Sequence, residues 1–258
     1  MMRLSTDRLH ASLEADAAAI AALVAEQDLS LPIPTCPEWT LKQLATHVGR
    51  AHRWAALITR TRSQQAIPFR DVPDGRLPDD PAEQAPWVRA GARSLADAVD
   101  DAGDEAVWSF VGPVPASFWS RRMANETLVH RADADIAAGR EPVLDAAQAA
   151  DAIDEWLVEM SGPNPGNPDP RAAALPASAS LQVSATDPSL DGGGEWLIRN
   201  TADGIVVEPA RDSADAVLSG PAGRLLLVFM RRVPVSDPAV SVDGDASIMT
   251  SWLDSTPF

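Results

Sequence analysis

A proline- and glycine-rich stretch at residues 161–170, SGPNPGNPDP, separates two parts of the chain with different residue patterns. Before it, apolar residues recur at the three- and four-residue spacing of amphipathic helices, whereas after it short runs have the composition and alternation of strands. Dense proline and glycine favour a connecting segment over either kind of element. The sequence therefore predicts two domains, residues 1–162 and 179–258, joined by a Pro/Ala-rich linker at residues 163–178.

The first domain is predicted to be helical throughout. Its apolar positions follow the helical period, and polar loops containing proline or glycine separate the periodic segments. Thr40 followed by Gln43 predicts a capping box at the start of the second helix. Five helices with no strand pattern fit a four-helix bundle with one additional helix. The predicted helices are residues 4–27, 40–62, 81–101, 117–139 and 144–160.

The second domain is predicted to be small and α+β. Segments 195–199 and 204–208 are rich in strand-forming residues, and the sequence NTADG at 200–204 between them favours a tight hairpin turn. The predicted fold class of the whole chain is therefore an α bundle followed by an α+β domain. Further predicted elements are strands at 181–184, 214–218 and 239–242 and helices at 221–230 and 245–253.

Charge and cysteine content restrict the partners and the compartment. The 258 residues include 37 acidic and 21 basic residues, which gives a net charge of −16. This balance disfavours nucleic acid and anionic membranes as partners, because both require basic patches. The single cysteine, Cys36, allows no internal disulfide and fits a reducing cytosol. Neither a signal peptide nor a membrane-spanning apolar window is recognisable, so a cytoplasmic location is predicted.

The most informative candidate site lies in the fourth predicted helix, where Glu126 and His130 are four residues apart and share one face. A carboxylate and an imidazole one turn apart can hold a divalent metal, and His47 on the second helix is a candidate third ligand. His52 points about 140° away from His47, so these two histidines cannot easily share one metal. The alternative is that Glu126 and His130 form an ordinary pair on a solvated helix surface.

Other reactive side chains have plainer interpretations. His52 is expected at the edge of the core or at the surface, and His10 at the surface. Cys36 lies in a proline-rich loop with no adjacent cation, which favours an inert thiol. Asp133 and Asp135 are expected either to orient the ligand histidine of the same helix or to face water.

Several short motifs occur in a characteristic order. TCPEWTL at 35–41 and LATHVG at 44–49 precede RMANETLVHRADAD at 122–135, and SGPA at 219–222 and VDGD at 242–245 follow in the second domain. Together they resemble the mycothiol-dependent maleylpyruvate isomerase family. The resemblance implies a DinB-like four-helix bundle that binds metal, followed by a sterol-carrier-like α+β domain.

The resemblance also implies a metal centre and a thiol cosubstrate. His47, Glu126 and His130 match the family's divalent metal ligands, usually zinc, and Arg232 matches a second-domain arginine with an expected catalytic role. The implied reaction adds the thiolate of mycothiol to an electron-poor small-molecule substrate, with cis–trans isomerisation or S-transfer as the outcome. Asn125 and Ala132 stand where a histidine and an aromatic residue are common in the family; these departures bear on the substrate more than on the metal.

Two other functions are compatible with the sequence. A metal-dependent hydrolase of the DinB-like class would use the same ligands to activate water and would need no thiol. A non-catalytic metal-binding module would use its acidic surface or its second domain to contact a partner or an apolar ligand.

Overall fold

The computed structural model describes residues 3–162, 169 and 171–256, which form two compact units. One unit is Ser5–Val143, and the other is Leu144–Phe258 with the first four residues. The first domain predicted from composition ends at residue 162, whereas the first unit ends at Val143. The prediction therefore assigns residues 144–162 to the first domain, and the structure assigns them to the second unit. Residues 163–168 and 170 of the proline-rich stretch lie outside the described residues.

The first unit is a four-helix bundle. Helices α1 and α2 each pack against both α3 and α4, so α1 lies diagonally opposite α2. Leu13, Ile20, Leu44 and Leu95 are fully buried in its core. The four helices are α1 (Thr6–Glu26), α2 (Leu41–Arg60), α3 (Pro81–Ala102) and α4 (Ser117–Ala137).

Local sequence explains where these helices begin. The Ser5 side chain accepts a hydrogen bond from the backbone of Arg8 at the start of α1, and the Asp80 side chain caps α3. The predicted capping box is confirmed at Thr40, whose backbone N–H donates to the Gln43 side chain over 2.7 Å. The starts of α1, α2 and α3 therefore follow from single residues and their neighbours, whereas Ala116 before α4 makes no side-chain cap hydrogen bond.

The packing of α2 on α3 requires a glycine. A Cβ at Gly49 would lie 2.1 Å from the ring of Trp87 on α3, so only a residue without a side chain fits there. The close approach fixes the position of α2 in the bundle near the middle of the helix. This is the part of α2 that carries the predicted metal ligand.

The prediction that the first domain contains no strands is wrong at one place. Residues Ala106–Val107 (β1) and Val114–Pro115 (β2) form a two-stranded antiparallel pair between α3 and α4. Two-residue strands are too short to show the alternation by which strands are recognised in a sequence.

The second unit combines a five-stranded sheet with helices. The strand order is β5-β4-β3-β6-β7, and every neighbouring pair is antiparallel except β3 with β6. Helix α5 packs on α7, and α6 packs on α8. The strands are β3 (Ser180–Ala185), β4 (Glu195–Thr201), β5 (Gly204–Glu208), β6 (Ala216–Gly220) and β7 (Ser241–Gly244). The helices are α5 (Ala146–Glu155, continued by a π-helical turn at Trp156–Met160), α6 (Arg171–Ala174), α7 (Ala222–Phe229) and α8 (Ala246–Ser255).

The α+β prediction for this part of the chain is confirmed, including the hairpin of β4 and β5. Thr201 pairs with Gly204 at its tip, and Gly204 has a positive φ of 112°, a conformation that glycine adopts without steric cost. Helix α6 was not predicted, because it spans four residues inside the predicted linker. Within the described residues, no helix is both long and apolar enough to cross a membrane.

Candidate metal centre

The packing of α2 against α4 brings the three predicted ligands together in the first unit. The Nε2 atom of His47 lies 3.0 Å from Oε1 of Glu126. One potential ligand atom from each of His47, Glu126 and His130 lies within 4.8 Å of the other two. Two imidazoles and a carboxylate at this spacing can share one cation.

The cluster is buried on one side and accessible on the other. His130 is only 4% exposed, whereas the side chains of His47 and Glu126 are 30% and 22% exposed. A ligand from solvent can therefore approach the cluster past His47 and Glu126, while His130 anchors it to the core.

Asp133, one turn after His130, orients that histidine. Its Oδ2 atom lies 2.9 Å from Nδ1 of His130, and its Oδ1 accepts a hydrogen bond of 2.6 Å from the Thr35 hydroxyl. A proton on Nδ1 shared with Asp133 leaves the Nε2 lone pair of His130 available to a metal. Asp135 instead lies 3.6 Å from Arg131, so of the two aspartates considered in the sequence only Asp133 contacts the histidine.

The loop before α2 forms a wall of the cluster. The ring of Trp39 lies 4.8 Å from the ring of His47 and 5.6 Å from that of His130, measured between centroids. Backbone hydrogen bonds fold the loop back on itself, from Ile33 N to Trp39 O and from Trp39 N to Cys36 O. The loop thereby holds an indole against both imidazoles.

Comparison with known families and structures agrees with this architecture. Residues 10–135 match the N-terminal domain of mycothiol maleylpyruvate isomerase, and residues 147–247 match the C-terminal domain of the same family. The chain belongs to the mycothiol maleylpyruvate isomerase family. The predicted family resemblance is thus confirmed over most of the sequence.

Solved structures show the same fold for this family member. A crystal structure of a mycothiol-dependent maleylpyruvate isomerase matches with a TM-score of 0.59 and 14% identity over 93% of both chains. A histidine-to-alanine mutant of a mycothiol-dependent maleylpyruvate isomerase matches with a TM-score of 0.58 and 13% identity, again over 93% of both chains. At this identity the likeness establishes the fold alone. A search of curated proteins gave no match.

The electrostatics of this maleylpyruvate isomerase family member keep Glu126 charged. Burial by itself would raise the pKa of its carboxyl, but the hydrogen bond with His47 and the positive charge of Arg122 outweigh burial and lower the pKa to about 2. Nε of Arg122 lies 3.5 Å from the second carboxylate oxygen. Glu126 is therefore an anion at any physiological pH, which is the form that binds a cation.

Cys36 lies close to the buried side of the cluster. Its Sγ is 3.8 Å from Oδ2 of Asp133, and a second possible ligand group consists of Cys36, His130 and Asp133. The Asp133 oxygen in question already contacts Nδ1 of His130. Cys36 therefore lies among the groups that contact Asp133, and the inert thiol expected from its sequence context stays a prediction.

The other two histidines lie apart from the cluster, and both are more buried than the sequence indicated. His52 is 1% exposed in the core, and its Nε2 lies 2.8 Å from the Thr127 hydroxyl. His10, expected at the surface, is mostly buried, because its Nε2 contacts the Ser120 hydroxyl at 2.8 Å where α1 packs on α4.

Arg232 lies in the second unit, just after α7. Its Nη1 donates a 2.7 Å hydrogen bond to the carbonyl of Met230, and the residue is partly buried. The catalytic role expected for Arg232 stays a prediction.

Sequence reasoning did not assign a role to Thr35 or Trp39. Helical periodicity carries no information about a loop, so the contacts of these residues with the cluster could not be derived from spacing. The available signal was the motif TCPEWTL at 35–41, which the family resemblance had already singled out.

Proposed function

We propose that this protein is a metal-dependent enzyme that uses mycothiol as a thiol cosubstrate, acting as an isomerase or S-transferase on an electron-poor small molecule. The observation that carries the proposal is the convergence of His47, Glu126 and His130 at a half-open position of the bundle. Membership of the mycothiol maleylpyruvate isomerase family supports the choice of thiol.

The three side chains fit a divalent metal, with zinc the best match to the donors. Two neutral imidazole nitrogens and one carboxylate are a donor set that zinc accepts, and three protein ligands leave a coordination position for a substrate atom. The hydrogen bond between Nδ1 of His130 and the Asp133 carboxylate is of the kind that orients metal-binding histidines. When bound, the metal would supply Lewis acidity that favours the thiolate form of the cosubstrate.

The residues of the chain would position the reactants and keep the ligands fixed. Trp39 packs against His47 and His130 and limits their rotation. Arg122 keeps Glu126 ionised and lies 3.5 Å from the carboxylate oxygen that does not contact His47. Reactants would enter on the exposed side of His47 and Glu126.

The proposed chemistry is addition of a thiolate to a carbon–carbon double bond conjugated to a carbonyl. The sulfur electron pair forms a C–S bond, the double-bond electrons move to the carbonyl oxygen as an enolate, and the former double bond rotates as a single bond. Collapse of the enolate expels the thiolate and gives the trans isomer. Protonation of the enolate carbon instead gives a stable S-conjugate.

In this proposal Arg232 pairs with a substrate carboxylate or with the developing enolate oxygen. A guanidinium suits either task because its planar N–H groups can bind two oxygens at once. We further propose that the enzyme acts in the cytoplasm, where a low-molecular-weight thiol would be in its reduced form.

Replacing His47 with alanine tests the metal site and the reaction together. We expect the purified variant to lose most of its bound divalent metal and its mycothiol-dependent turnover, while its helical content stays that of the wild type. An unchanged metal content would refute the site.

The thiol is tested separately with the wild-type enzyme. Turnover of electron-poor enone acids should require added mycothiol. Hydrolysis that proceeds at the same rate without any thiol would instead favour the hydrolase alternative, in which the same ligands activate water.

A further inference from the structure

A cavity of about 380 Å³ lies in the first unit between α2 and the loop that follows it. Three arginines line it, Arg50 from α2 and Arg70 and Arg76 from the loop, together with the apolar side chains of Phe69 and Val72. None of these residues belongs to the candidate metal centre.

The cavity is positively charged in a protein whose net charge is −16. Within the part of the chain that the structure describes, Asp74 is the one acidic residue that lines it, and its charge is already offset from outside the cavity. One Asp74 oxygen lies 3.2 Å from Nε of Arg53 and accepts a hydrogen bond of 3.1 Å from the Trp87 indole. Arg50 and Arg76 therefore have no carboxylate in the cavity left to neutralise them, whereas Arg70 lies near the Asp71 side chain.

Arg50 is held in place rather than extended into solvent. Its Nε donates to the carbonyl of Gly75, and its guanidinium carbon lies 5.4 Å from the centre of the Phe69 ring. Gly75 leaves the space for this arrangement, because a Cβ there would lie 2.9 Å from the Val72 carbonyl and 3.4 Å from the Arg50 side chain. A fixed guanidinium binds an anion at a smaller entropic cost than a mobile one.

The remaining N–H groups of these arginines are available to a ligand. Among the described residues, the guanidinium of Arg50 has no hydrogen bond besides that to Gly75, and Arg76 has no hydrogen bond or ion pair. Nε of Arg70 lies 3.6 Å from the side chain of its neighbour Asp71, and both are exposed.

We propose that this cavity is a binding site for a small organic carboxylate. Arg50 and Arg76 supply the planar N–H pairs that match a carboxylate, and Phe69 and Val72 supply an apolar wall for its carbon skeleton. The apolar wall distinguishes such a ligand from inorganic phosphate, which has no apolar part to bury. The site needs no metal and does not depend on the function proposed above.

The test is a calorimetric titration of the metal-free full-length protein with sodium benzoate at constant ionic strength, with inorganic phosphate as a second probe. Any divalent metal is removed first, so that benzoate cannot bind to a metal held by His47, Glu126 and His130. We expect saturable benzoate binding in the millimolar range, and phosphate binding at least about tenfold weaker. Arg50→Gln and Gly75→Ala should each weaken benzoate binding about tenfold or more.

Two further variants keep the result interpretable. Arg76→Gln alters an exposed side chain, so its fold should be intact, and it should also weaken benzoate binding. Arg89→Gln is the matched control, because Arg89 lines a different surface cavity with Arg60 and Arg93 and should bind benzoate like the wild type. Absence of saturable benzoate binding, phosphate binding as tight as that of benzoate, or equal weakening by Arg89→Gln would each overturn the proposal.

Discussion

Helices α2 and α4 meet through two histidine contacts that differ in almost every respect. His47 contacts the carboxylate of Glu126 at 3.0 Å, and five residues later His52 contacts the hydroxyl of Thr127 at 2.8 Å. The first pair is partly exposed, whereas His52 and Thr127 are each 1% exposed. The same two helices thus carry an accessible anionic contact and a buried neutral one.

The buried contact has a single hydrogen-bonding pattern. The Thr127 hydroxyl donates to the carbonyl of Met123 at 2.6 Å, so its oxygen accepts the proton of His52 Nε2. Nδ1 of His52 has no hydrogen-bond partner among the described residues, and burial lowers the pKa of His52 to about 3. His52 is therefore neutral and structural. Burial and the chemistry of the partner, rather than the residue type, separate a candidate ligand from a core histidine.

Glu126→Gln should have the largest effect on the metal centre, because it keeps the shape of the side chain and removes its charge. We expect divalent metal affinity to fall by about 100-fold or more. Competition with a chromogenic chelator would measure this. Asp135→Asn is the matched control, since it neutralises another carboxylate of α4 that pairs with Arg131. If Glu126→Gln, Asp135→Asn and the wild type had equal metal affinities, the His47–Glu126 contact would have no more part in metal binding than the His52–Thr127 contact.

Asp133→Asn should have the next largest effect, because it weakens the acceptor that orients His130. Loss of such a supporting hydrogen bond costs about 10- to 100-fold in metal affinity. Thr35→Ala removes a hydrogen bond to the same carboxylate, so a smaller loss is expected. If Asp133→Asn lowered the thermal stability but left the metal affinity unchanged, Asp133 would support the core of the bundle and would have no role in metal binding.

Thr127→Val tests the buried side of the comparison. Valine has the shape of threonine but cannot accept the His52 proton, which leaves a buried donor unsatisfied. We expect a loss of about 1–3 kcal/mol in the free energy of unfolding, measured by urea denaturation of the metal-free protein. Metal affinity should change little, and Thr127→Ser should restore most of the stability. A large loss of metal affinity in a stable Thr127→Val protein would show that the two contacts are not separate.

The fold followed from the sequence wherever a periodic pattern was long. The four bundle helices and the hairpin of β4 and β5 lie within a few residues of their predicted positions, because amphipathic spacing and caps act locally. The pair of β1 with β2 and helix α6 were missed because elements of two and four residues have no readable period.

The candidate site could be predicted only in part. Glu126 and His130 share a helix face by geometry. The angular separation of His47 and His52 excludes only a metal shared by both, and the choice of His47 followed from its place at the edge of the core face and from the family resemblance. The contacts of Trp39 and the burial of His10 depend on how distant segments pack, which no local pattern records. Glu126 and His130 were therefore predicted from spacing within one helix and His47 from its helix and the family resemblance, whereas the contacts made by the loop before α2 were not predicted.

The smallest expected effect is the contribution of His52 to the pH dependence of the free energy of unfolding. Its pKa is lowered from 6.5 to about 3 by burial, so between these values the unfolded chain binds a proton at this residue and the folded protein does not. Stability contributed by neutral His52 is therefore fully present above pH 6.5 and is lost progressively as the pH falls towards 3. From pH 6.5 to 5 the loss amounts to about 1.5 kcal/mol.

This dependence can be isolated in metal-free protein by comparing wild type with His52→Gln over the same range. The pKa of Glu126 is lowered from 4.5 to about 2, so the stability its carboxylate contributes is lost mainly below pH 4.5, outside the range used. We expect the variant to be less stable at pH 6.5 but to lose about 1.5 kcal/mol less than the wild type on acidification from pH 6.5 to 5. Parallel stability curves for the two proteins would mean that His52 takes up a proton in the folded state, and the contrast between the buried and the accessible histidine would fail.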